Sequence, residues 1–71
     1  MATVEVRLKE LLKERKMTQR QLADLTGIGQ ARISHWAGNK VDRLDRETIA
    51  KICIALNCEV GDLLYIDHEE A

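Results

Sequence analysis

Residues 18–40 read TQRQLADLTGIGQARISHWAGNK, and their reading decides the fold. They describe two short helices joined by a tight turn. Thr18 suits a helix N-cap, because its hydroxyl can accept a bond from a free backbone N–H of the first turn. Leu22 and Leu25 supply a short apolar face, and Ala23 is small enough for another helix to come close. Gly27 stops the helix, since glycine takes the left-handed conformation without a Cβ clash. Ile28 follows, and a second helix begins near Gly29 or Gln30. Ile33 and Trp36 are three apart and share its inner face. The outer face carries Gln30, Ala31, Arg32, Ser34 and His35. This is the layout of a helix-turn-helix whose second helix enters the major groove of DNA.

On either side the pattern stays helical. Thr3–Arg7 fits two templates. Val4, Val6 and Leu8 alternate as in a strand, while Val4, Leu8, Leu11 and Leu12 share a helix face. The β-branched TVEV composition favours a short strand at 3–6, with helix 1 over 7–16. Helix 2 is predicted over 19–26 and helix 3 over 30–37, closed by Gly38-Asn39. Asp45 caps a fourth helix, 46–56, with Ile49, Ile52, Cys53 and Leu56 on one face. Ala50 and Ile54 fall on the other side, so this helix is sandwiched or meets a partner. Asn57 closes it. Helix 5 spans 60–64, Leu64–Ile66 continue as an extended piece, and residues 67–71 form an acidic, frayed tail. The two apolar terminal segments, Val4–Val6 and Leu64–Ile66, can pair within one chain or across a two-fold axis. The second is expected, because one small domain reads few base pairs.

The stretch and its flanks resemble the DNA-binding domain of the lambdoid phage repressors, the Cro/CI or Xre type. The likeness covers about residues 7–66, because LDRETIAKICIALNCEVGDLL stands where that family has two more helices. It implies an all-α, five-helix, lambda-repressor-like domain, to which the reading above adds short terminal strands. It also implies a cytoplasmic transcriptional regulator, a repressor, that binds a palindromic operator in double-stranded DNA as a homodimer.

Glutamine is matched to the N6/N7 edge of adenine and arginine to the O6/N7 edge of guanine. Gln30 stands in the first turn of helix 3, where the resembling repressors read adenine with a glutamine. They brace it with another at the start of helix 2, and Gln19 matches that position. Ala31 can meet only a thymine methyl or nothing. Arg32 suits guanine or phosphate, and Ser34 and His35 are second-turn candidates. Trp36 shares the phase of Ile33, which favours the core over base stacking. Lys40 and Arg43 lie in the loop that resembles the family's backbone-gripping segment. Contacts of that kind set register and affinity rather than sequence. Asn39 departs from the glycine usual there, and serves as a C-cap or a phosphate contact.

At 71 residues the chain is one domain, near the lower limit for a core without staples. Phenylalanine is absent, so Leu, Ile, Val and Ala must build that core. The net charge of −1 hides an asymmetry. Residues 1–46 hold ten Lys and Arg against six Asp and Glu, and residues 47–71 hold one against six. That split predicts a basic reading face and an acidic back. No apolar run is long enough for a membrane span, and no signal segment is seen. Cys53 and Cys58 lack the partners and spacing of a zinc site, and they read as buried thiols in a reducing compartment. No cofactor or metal is called for. Ser34, His35 and the cysteines form no nucleophile–base set, which argues against an enzyme. No ligand-binding or cleavage domain is expected, so control would come from abundance, operator competition or a regulatory protein. The competing reading is a protein-interaction module of the same fold, such as an antitoxin that mainly binds its toxin.

Overall fold

The computed structural model describes residues 2–68. The order is β1 (Ala2–Val6), α1 (Leu8–Glu14), α2 (Gln19–Thr26), α3 (Gln30–Ala37), α4 (Arg46–Leu56), α5 (Val60–Leu63) and β2 (Leu64–His68). Each boundary of the central helices has a chemical cause. Thr18 and Gln21 form a reciprocal capping box at the start of α2. Gly27 ends that helix at φ 74°, in the left-handed region. The Asp45 carboxylate accepts the Thr48 N–H and so opens α4. Asn57 closes α4 at φ 52°. Arg15 Nε donates to Leu56 O at 2.9 Å, which places a cation where the α4 dipole is negative.

One core joins the helices. Leu8, Leu11 and Leu12 of α1 meet Leu22, Ile33, Trp36, Ala37, Ile52, Cys53, Leu56 and Leu63. Ile28, in the turn between α2 and α3, is also buried. Trp36 is 1% exposed, so the indole fills the interior and does not stack on bases. Helix α2 packs on α3 and α4, while α1 packs on α3 and α5. This leaves the outer side of α3 uncovered.

The terminal strands pair antiparallel within one chain, with Val4 opposite Ile66 and Val6 opposite Leu64. This corrects the expected pairing across a two-fold axis. The Arg7 N–H donates to Leu63 O at 2.7 Å, which continues the pairing one step past Val6 and Leu64. From that pinned point the strands run outward together. Val6 is buried, whereas Val4 and Ile66 are exposed on the same face.

Three further expectations are corrected. Helix 1 starts at Leu8, because Arg7 is held by Leu63, and it ends at Glu14 rather than residue 16. Helix 5 stops at Leu63, since Leu64 is already extended. Leu25 is 63% exposed, because α2 turns Leu22, Ala23 and Thr26 inward instead. Of the two alternatives for α4, the 80% exposure of Ile54 excludes the sandwiched one and leaves that side open. In the expected frayed tail, Asp67 and His68 belong to β2, and residues 69–71 lie outside the described residues. No helix among the described residues is long and apolar enough to cross a membrane.

Candidate nucleic-acid interface

Helix α3 is amphipathic in three dimensions. Ile33, Trp36 and Ala37 are buried, and Gln30, Ala31, Arg32, Ser34 and His35 are all exposed. The turn fixes how the helix is presented. Gly29 precedes α3 in an extended conformation, and the Ile33 N–H bonds Gly29 O at 3.1 Å. Gln19 and Gln30 each occupy the first position of their helix, α2 and α3. Gln19 is half-buried and Gln30 exposed. Among the described residues no hydrogen bond joins the two glutamines. Both helix starts carry free backbone N–H groups and the positive end of the dipole, which suits anionic oxygens.

Beside α3 lies an open groove of about 610 Å³, lined by Arg32, His35, Trp36 and the loop from Lys40 to Asp45. Arg32, His35, Lys40 and Arg43 therefore gather at one flank. Asp42 and Asp45 share it, so the groove is of mixed charge and not uniformly basic. Arg15, just before α2, turns away from this flank: it donates to the end of α4 and pairs with Glu14.

The polar ties that Arg32 and Asn39 make to other elements have no counterpart in the sequence reading. Arg32 Nη2 donates to Thr48 Oγ1 at 3.0 Å and lies 3.5 Å from Asp45 Oδ1. The Thr48 hydroxyl donates to Asp45 Oδ2 at 2.7 Å, so this buried hydroxyl is satisfied as both donor and acceptor. The hydroxyl and N–H of Thr48, with Arg32 adding a smaller attraction, hold the Asp45 carboxyl below its ordinary range. At the other end of α3, Asn39 takes φ 56° and its Oδ1 accepts the Val6 N–H at 2.9 Å. Asn39 Nδ2 donates to Glu5, which lowers that carboxyl too. Asn39 thus acts as a left-handed C-terminal residue with a structural partner. The residue type of Asp45 signalled the helix cap, but nothing local signalled the parts of Thr48, Arg32 or Val6.

Cys53 is buried and Cys58 half-buried, both as free thiols. Burial, with the neighbouring Cys58 thiol, pushes Cys53 up to about 11. Among the described residues no cluster of metal-ligating side chains is present.

Comparison with known proteins agrees with this geometry. Residues 7–69 match the Cro/C1-type HTH DNA-binding domain. YozG of Bacillus subtilis (strain 168), described as an uncharacterized HTH-type transcriptional regulator, is 33% identical over 60 residues, which cover 84% of this chain and 71% of YozG. The crystal structure of a candidate DNA-binding protein from Bacteroides fragilis superposes with a TM-score of 0.80 at 28% identity, covering 89% of this chain and all of that one. The transcriptional regulator VanUg superposes with a TM-score of 0.75 at 25% identity, over 96% of this chain and 89% of its own. The exposed polar face of α3, the capped turn before it and these likenesses lead to one conclusion: the chain belongs to the Cro/C1-type helix-turn-helix family of DNA-binding transcriptional regulators.

Proposed function

We propose that the protein is a sequence-specific repressor that inserts α3 into the major groove of a palindromic operator as a homodimer. The observation that carries this reading is the division of α3 into a buried apolar face and an exposed polar one. Gln30 reads an adenine edge, and Gln19 braces it from the start of α2. Ala31, Ser34 and His35 meet neighbouring base edges or their methyl groups. Lys40 and Arg43 grip backbone phosphates and set register. A single short helix reads few base pairs, which supports two copies on a symmetric site. The free thiols suit a reducing cytoplasm.

The test is duplex binding across a range of salt. Wild type should lose affinity steeply with salt, and Lys40→Ala and Arg43→Ala should each lower the slope by roughly one unit. They should weaken specific and random DNA about equally. Salt-independent or absent binding would contradict the reading.

One observation favours a second role. Leu25 and Ile54 are exposed beside Thr26, Lys51 and Ala55, around a shallow hollow. Exposed apolar side chains grouped in this way suit a protein partner, such as a toxin or a regulator. If that role dominates, Ile54→Asp abolishes partner capture and leaves DNA binding intact.

A further inference from the structure

Arg32 differs from its neighbours on α3 in where it points. Ala31 and His35 are four apart and stack on the outward face. Arg32 lies about 100° round from Ala31, four residues before the buried Trp36. That direction faces the start of α4, where Nη2 meets Thr48 Oγ1 at 3.0 Å and Asp45 Oδ1 at 3.5 Å. Between α3 and α4 the chain has no regular structure. The Lys40 N–H bonds His35 O at 2.9 Å where the loop leaves α3. Asp45 ends the loop as the cap of α4. Arg32 therefore ties the far end of the loop back to the helix it came from. Both Lys40 and Arg43 lie on the segment enclosed by this tie.

We propose that Arg32 is a positioning residue and not a base reader: it fixes the Lys40–Asp45 loop against α3, so that Lys40 and Arg43 meet backbone phosphates in register with Gln30. This rests on the DNA-binding reading above and adds the part that sets loop geometry. The tie uses one nitrogen of the guanidinium for both partners. The loop is then ordered before DNA arrives, and less conformational freedom is lost on binding. Because Arg32 and Asp45 are both largely exposed, the same contact adds little to folding stability. Its effect is felt in DNA affinity.

The test is a double-mutant cycle on DNA binding, with thermal melts beside it. Arg32→Met keeps the apolar stem and removes the guanidinium. Asp45→Asn still caps α4 but loses the charge. Each variant should bind the wild type's preferred duplex and a random duplex of equal length about 5- to 30-fold more weakly. The loss should be equal on the two duplexes, so the ratio between them stays that of wild type. The double variant should be no weaker than either single variant, and Arg32→Met should melt close to wild type. Loss confined to the preferred duplex in Arg32→Met would make Arg32 a base reader and overturn the proposal. So would Asp45→Asn binding as tightly as wild type or tighter, or losses that simply add. A wild type that binds no duplex would overturn the DNA reading, and this proposal with it. A wild type that binds while the cycle shows no coupling overturns the positioning role alone.

Discussion

The side-chain oxygen of Asn39 accepts the backbone N–H of Val6 at 2.9 Å, which joins the end of α3 to the first strand across 33 residues of sequence. Asn39 holds this bond from a left-handed conformation at φ 56°. Asparagine tolerates that region better than most side chains, while glycine enters it freely.

Asn39→Ala therefore loses the bond and strains the backbone together, and is expected to destabilise the fold by about 1–3 kcal/mol. Asn39→Gly loses only the bond and should cost less. Denaturant midpoints of the two variants check this order. Equal midpoints would mean that the backbone conformation at Asn39 is not costly for alanine.

Gly27 presents a purer backbone case. It sits at φ 74°, and a Cβ added there would meet no atom within 4 Å. Gly27→Val should thus cost on the order of 1–3 kcal/mol through conformation alone. Gly27→Asn, with an asparagine like those at positions 39 and 57, should be milder. A Gly27→Val melt equal to wild type would show that the turn tolerates a branched side chain.

Asp45 predicts the acid behaviour. The Thr48 hydroxyl and N–H hold its carboxyl below the ordinary value of 3.8, so the folded state takes up the proton less readily than the unfolded chain. The linked stability is complete above that value and is lost as pH falls through the lower folded-state value. Asp45→Asn should flatten the dependence of stability on pH between about 5 and 2. Denaturant midpoints measured across that window, identical in slope for both proteins, would remove Asp45 from the account.

These cases also show what the sequence makes legible. Helices α2, α3 and α4 are readable to the residue because each is bounded by local chemistry: Thr18 and Gly27, Gln30 with Gly38, Asp45 and Asn57. The start of α1 and the end of α5 are not, because they are set by the bond between Arg7 and Leu63, which are far apart in sequence. The same reason hides the strand pairing, since two apolar segments cannot announce whether they meet in one chain or two. Leu25 misleads because a residue three positions from a buried one need not share its face when the helix turns its fourth neighbour, Thr26, inward. The outer face of α3 follows from the phase of Ile33 and Trp36. The engagement of Arg32 does not, because Thr48 is 16 residues away and a polar tie has no period.

The central claim is that α3 reads base edges through Gln30. Selection of bound sequences from a random DNA pool, with wild type and Gln30→Ala side by side, tests it most directly. Wild type should enrich a palindrome with one strongly preferred adenine per half-site. Gln30→Ala should bind that site about 1–3 kcal/mol more weakly and lose the preference at that adenine alone. A Gln30→Ala pool with the wild-type sequence preference, or a wild type that enriches nothing, would contradict the account.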